Sequence, residues 1–189
     1  NITFIFHDID LMPWRKNLFD YDTTRGIVKH YYGFDFALGG MFSIKGSDFE
    51  KINGFPNYWA WGFEDNLIYI RWLRVGTVDR TQFLPIKHPD VLAAYHGYLR
   101  TVSKKNEDKY IDKDKADKTN RVGISTIKNM VYNTESIEKD IDMINITYFT
   151  TEQPPNKDLV REPIPITQKR LEKRQKMYYQ QHNKFKMNF

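Results

Sequence analysis

Two acidic pairs in the sequence have spacings that can do chemistry. Asp8 and Asp10, in FIFHDIDLMP, sit two apart directly after an apolar, strand-like run. Two carboxylates where a buried strand ends can hold a hard divalent cation, and such ends face the ligand crevice in open α/β sheets. A plain strand-end turn accounts for the same two residues. Glu64 and Asp65 follow two tryptophans and a glycine in WAWGFEDN, residues 59–66. One reading is an aromatic core patch ahead of a helix, whose N-terminus favours acidic side chains. The other is a ring platform for a sugar, with a carboxylate beside it to accept a hydroxyl proton.

The elements that must position these groups follow from the apolar pattern. A strand is expected over 2–7, then an aromatic-rich loop to about 32 and a short strand near 40–44. GSDFEKINGF reads as a helix, with Ser47 and Glu50 as a capping box and Gly54 as its stop. A second helix over 64–74 keeps a helical period through Leu67, Ile70 and Leu73 before Gly76 ends it. Strands are expected at 77–84, 91–95 and 143–149. Alternating strands and helices behind an apolar opening strand indicate an α/β fold.

Composition narrows the class. The 189 residues are 40% hydrophobic and 15% aromatic, as in a globular domain. No apolar run approaches the ~20 residues of a membrane span. Without cysteine, disulfides, thiolate metal sites and a cysteine nucleophile are excluded. That is compatible with a reducing compartment such as the cytoplasm. The net charge of +5 is uneven. Residues 151–189 hold nine Lys/Arg and four Asp/Glu, which leaves 20 of each sign in residues 1–150. The same stretch holds four of the eight prolines. We therefore expect a body over 1–150 and a Pro-rich, basic tail over 151–189, solvated or bound to a protein or an anionic partner.

HDIDLMP, the run GGMFSI…F..INGFPN.YW.WG.EDN and a later histidine together resemble the C-terminal half of the beta-1,4-galactosyltransferase family. Its wider relatives include polypeptide N-acetylgalactosaminyltransferases and chondroitin synthases. The resemblance runs in order over about 1–150. It implies the C-terminal portion of a GT-A-type nucleotide-sugar transferase fold, a mixed sheet with flanking helices. It also implies inverting transfer of galactose or N-acetylgalactosamine from a UDP-sugar donor to a hydroxyl of a glycan acceptor, and a Golgi lumen or an equivalent compartment.

Residue by residue, the resemblance makes Asp65 the catalytic base and Glu64 a ligand of sugar hydroxyls. Trp61 and Gly62, with Trp59 beside them, match the sugar platform. Gly39 and Gly40 match the glycine pair that lets backbone approach the donor, and Ala37 falls near the donor's C2 substituent. Asp10 matches the metal ligand, with Asp8 ordering the site, and the implied ion is Mn²⁺ or Mg²⁺. His96 lies 31 residues after Asp65 and is the preferred metal histidine; His88, at 23, is its rival. The family's methionine ligand has no match, because position 93 is Ala. Ala60 and Phe63 stand where galactosyltransferases usually have glycines, and Asn66 replaces a third acid. His7 and His30 read as structural or peripheral.

The chain opens on the strand bearing Asp8 and Asp10, without a methionine. In the family the uridine-holding strands precede that strand, so a missing N-terminal nucleotide-binding half is expected on a longer parent or another polypeptide. The rival function is a transferase-derived structural or assembly domain without turnover.

Overall fold

In the computed structural model, residues 2–57, 63–94 and 119–152 are described. Four strands and one attached short strand build a mixed sheet. β1 (Thr3–His7), β4 (Met41–Lys45), β3 (Ile27–Gly33) and β5 (Thr77–Asp79) lie in that order, and β6 (Leu84–Pro85) extends β3. The β1–β4 and β4–β3 pairs are antiparallel, whereas β5 and β6 run parallel to β3. Separately, β2 (Leu11–Pro13) pairs with β7 (Val91–Ala93). This is the mixed α/β architecture expected from the sequence.

Successive side chains of a strand point to opposite faces, and β4 is buried on both. Phe42 and Ile44 join Val28, Leu38, Ile52, Ile68 and Trp72 in one apolar cluster beneath the helices. Met41 joins Phe19, Tyr31, Tyr32 and Val91 in a second cluster. The helices are α1 (Gly46–Lys51) and α2 (Glu64–Leu73).

Several expectations need correction. The aromatic stretch before residue 33 is not a loop but contains β3, at the centre of the sheet. α1 starts one residue before Ser47, straight from Lys45 at the end of β4, and makes no side-chain capping bond. The Asp48 carboxylate instead accepts the N–H of Gly26 at 2.7 Å. Gly54 does end the turn after α1, at φ +60 with its N–H on the Phe49 carbonyl. The strand expected over 77–84 is two short pieces, β5 and β6. The last strand has a partner that was not foreseen: β8 (Lys128–Glu138) and β9 (Ile141–Thr150) form a long hairpin whose side chains are exposed.

INGFPN acts as a clamp. The Asn53 amide donates to the Asn120 carbonyl (2.6 Å) and to Ser125 Oγ (2.9 Å), while its Oδ1 accepts the Ser125 N–H. Asn57 donates to the Gly123 carbonyl and to Thr126 Oγ1. The fully buried Arg71 of α2 reaches the carbonyls of Gly54 (3.1 Å) and Val122 (2.8 Å). A buried carbonyl without a donor is costly, so this guanidinium seats α2 on the loop that precedes it and on the segment that follows from residue 119.

Candidate active site

Gly39 and Gly40, between β3 and β4, are the hub at which the sequence-predicted acids meet. The Asp8 N–H, at the end of β1, donates to the Gly40 carbonyl at 2.9 Å. The Leu38 N–H donates to the Asp65 carbonyl in the first turn of α2, at 3.0 Å. A Cβ on Gly39 would collide with the Asp65 carboxylate, coming within 2.7 Å of its Cγ. Gly40 has φ +73, and a Cβ there would press on the Tyr32 carbonyl group. Gly40 needs glycine for its left-handed backbone, whereas at Gly39 the missing side chain is what lets the Asp65 carboxylate come close.

Asp65 occupies the second position of α2, where the helix dipole favours a carboxylate. Burial and the charges of Glu64 and Asp8 outweigh that effect and push the Asp65 carboxyl up to about 7. Burial also raises Asp8, assisted by Asp10 and Glu64 and opposed by the backbone bond from Gly40. Glu64 Oε2 is buried and has no hydrogen-bond partner among the described residues. A buried polar atom left in this state is an acceptor waiting for a donor. A sugar hydroxyl or a cation would supply what it lacks.

The sequence-predicted site residues are only partly brought together. Asp8, Gly39, Gly40, Glu64 and Asp65 converge, and the charge of Asp10 reaches Asp8. Trp59, Trp61, Gly62 and His96 lie outside the described residues, as do 153–189 of the expected tail. Ala37 is buried, with its N–H on the Phe34 carbonyl. Phe34 and Phe36 are exposed and stacked on each other at 5.0 Å. His88 is occupied within its own turn, where Nδ1 accepts the Asp90 N–H at 3.2 Å. His7 Nε2 lies 3.1 Å from the Tyr21 hydroxyl.

Among the described residues, no three His, Cys, Asp or Glu side chains are grouped to hold an ion. The chemistry at hand still suits a hard cation, because Asp8, Asp10 and the orphaned Glu64 oxygen are all carboxylate donors in mutual repulsion. Magnesium-like ions typically take one or two protein carboxylates and fill the rest of their shell with water and phosphate.

Two features were missed from the sequence. Phe63, just before α2, is left-handed at φ +70, an uncommon state for a bulky residue. This gives a physical reason why glycine would suit that position. The second is a polar stack under the glycine pair. His30 Nε2 sits 3.1 Å from the carbonyls of both Tyr32 and Gly39, and Arg80 Nε donates to its Nδ1 at 3.2 Å. Nothing in the pattern around His30 or Arg80 signals this contact, because they are 50 residues apart.

Comparison with known proteins places this geometry. Residues 25–96 match the family model described as the N-terminal domain of galactosyltransferase. That description does not confirm the C-terminal placement expected from the motifs. A beta-1,4-galactosyltransferase 2 of Cricetulus griseus is 31% identical over 135 residues, which are 67% of this chain and 32% of that protein. A xylosylprotein 4-beta-galactosyltransferase of Caenorhabditis elegans is 30% identical over 77 residues, 35% of this chain and 26% of that protein. The chain thus spans a third or less of the curated relatives it matches. The catalytic domain of a Drosophila beta-1,4-galactosyltransferase 7, solved with xylobiose, superposes with a TM-score of 0.54 at 23% identity. A mutant of that enzyme solved with manganese, UDP-Gal and xylobiose gives 0.51 at 20%. Each covers 76% of this chain and 66% of the other, and at these identities they show a shared fold.

Proposed function

We propose that this chain, a galactosyltransferase-family member over residues 25–96, works as a metal-dependent inverting glycosyltransferase. It moves galactose or N-acetylgalactosamine from a UDP-sugar to a hydroxyl of a glycan acceptor. The observation that carries the proposal is Asp65, a half-buried carboxyl pushed up to about 7 and held against Gly39 beside Glu64. A base poised near neutral pH at a helix start is what removal of a hydroxyl proton requires.

In the proposed step, Asp65 accepts the proton of the acceptor hydroxyl as its oxygen bonds to the anomeric carbon. The bond from that carbon to the diphosphate oxygen breaks, and the electron pair leaves with UDP. A single displacement inverts the anomeric centre and needs no carboxylate nucleophile. Glu64 takes sugar hydroxyls through its unpartnered oxygen. Trp61 and Trp59 supply apolar faces to the pyranose, with Gly62 beside them. Asp10 and Asp8, with His96, would hold the divalent cation, which offsets the charge of the leaving diphosphate when bound. The Drosophila neighbour binds manganese, UDP-Gal and xylobiose, which supports the same ligand classes here.

The test is transfer from UDP-galactose and from UDP-N-acetylgalactosamine to a panel of glycans in the presence of Mn²⁺. A second reading is an assembly domain without turnover. It draws on the β8–β9 hairpin, which exposes Ile141, Met143, Ile144, Ile146 and Tyr148. Absence of both transfer and donor hydrolysis would favour it.

A further inference from the structure

We infer that His30, fixed by Arg80, is a positioning residue for the glycine pair and through it for the Asp65 carboxylate. Arg80 Nε is a donor, so His30 Nδ1 must accept, and the ring proton resides on Nε2. From there it points at the carbonyls of Gly39 and Tyr32, each 3.1 Å away. The ring is buried in this neutral form, which burial and the Arg80 charge both favour. Arg80 is itself held in place by its neighbours. Nη2 donates to the Asp35 carbonyl at 2.6 Å, Nη1 lies 3.4 Å from the Tyr69 hydroxyl, and the guanidinium sits over the Tyr69 and Phe83 rings. Phe83 also packs on the His30 ring, with centroids 4.8 Å apart.

Gly33 makes the contact possible. A Cβ there would come within 2.7 Å of the Gly39 oxygen and 3.2 Å of His30 Nε2. With Gly39 anchored from below, its Cα is the floor against which the Asp65 carboxylate rests. On either side of this floor are the Leu38–Asp65 and Asp8–Gly40 backbone bonds. A histidine far from the reacting atoms thereby sets where the proposed base stands. The β-bulge between His30 and Tyr32 belongs to the same device. Bulges next to active sites re-aim side chains, and this one leaves Tyr31 and Tyr32 in the second apolar cluster while His30 lies under Gly39.

The inference rests on Asp65 as the proposed base, and its test measures positioning without turnover. Amide hydrogen exchange by NMR compares the intact chain with His30→Phe, which keeps a ring against Phe83 but removes the donor, and with His30→Gln, which retains an N–H donor. The expected result is at least a tenfold loss of protection at the Leu38 and Asp8 amides in His30→Phe. The Phe42 and Ile44 amides of β4 should be unchanged, and His30→Gln should recover most of the loss. Equal protection at Leu38 and Asp8 in both variants would overturn the inference, as would a uniform loss across β4. If His30→Phe does not fold, Arg80→Leu replaces it. Without the guanidinium that holds the ring against the two carbonyls, the same two amides should lose protection while Phe42 and Ile44 keep theirs. Unchanged protection at Leu38 and Asp8 would overturn it. A wild type that transfers no sugar counts against the proposed function, and the exchange comparison still decides this one.

Discussion

The Asp65 carboxylate lies directly over the Cα of Gly39, so close that a methyl group there would come within 2.7 Å of its Cγ. Gly39 does not have a left-handed backbone, so alanine is tolerated conformationally and its effect falls on Asp65 alone. Gly39→Ala should therefore fold with a melting temperature within a few degrees of wild type while losing ~10²-fold or more in turnover, the scale of a misplaced reacting group. Circular dichroism melts together with initial transfer rates check this. Unchanged turnover in the folded variant would mean that Asp65 does not act from this position.

The raised Asp65 carboxyl and the lowered His30 imidazole push stability in opposite directions with pH. Asp65 is pushed up to about 7 on folding, so it favours the folded state at low pH. That contribution is lost as pH rises from about 4 through 7. Asp65→Asn removes the effect. It should stabilise the fold above pH 7 by on the order of 2–4 kcal/mol and change little near pH 4. His30 is lowered to about 4. Its contribution is present above its ordinary value of 6.5 and is lost as pH falls through about 4. His30→Gln should flatten that acid limb. Urea melts at pH 4, 6 and 8 distinguish the two groups.

Arg71 is fully buried and bonds carbonyls on two separate segments. Arg71→Met keeps the length of the stem but strands the carbonyls of Gly54 and Val122. The expected cost is on the order of 3 kcal/mol, read by chemical denaturation. A cost below about 1 kcal/mol would show that the clamp between INGFPN and the segment after residue 119 contributes little.

The metal proposal is checked by Mn²⁺ titration followed by electron paramagnetic resonance. Asp10→Ala should weaken binding tenfold or more, about 1.4 kcal/mol, and EDTA should reverse it. His96→Ala should do the same and His88→Ala should not, since His88 Nδ1 is already taken by the Asp90 N–H. The opposite pattern would transfer the ligand role to His88.

Some of this could be read from the chain and some could not, for physical reasons. β1 and β4 stand out as short apolar runs and α2 by its helical period, and the acids at the ends of β1 and α2 were found because strand ends and helix starts are where ligands gather. β3 was missed because IVKHYYG has no period-two pattern: the bulge puts Tyr31 and Tyr32 in one cluster, and His30 is buried for its hydrogen bonds. β8 has no apolar face to betray it, since both of its faces meet solvent. The Ser47 capping box looked sound by spacing, but β4 runs into α1 without a break and Asp48 turns to Gly26. The glycine pair was recognised through resemblance. Its tie to His30 and Arg80 depends on a contact across 50 residues that no local pattern encodes.

Whether Asp65 is the base is decided by Asp65→Asn, because asparagine keeps the size and loses the proton-accepting charge. Steady-state transfer by the full-length protein, with UDP-sugar binding measured in parallel, is the measurement. Wild-type kcat/KM should rise with pH through an ionisation near 7, the value to which burial pushes Asp65. Asp65→Asn should lose on the order of 10²–10⁴ in kcat, with the pH dependence abolished and donor affinity within about twofold, since only the proton acceptor is removed. A variant that turns over at the wild-type rate with the same pH profile would contradict it.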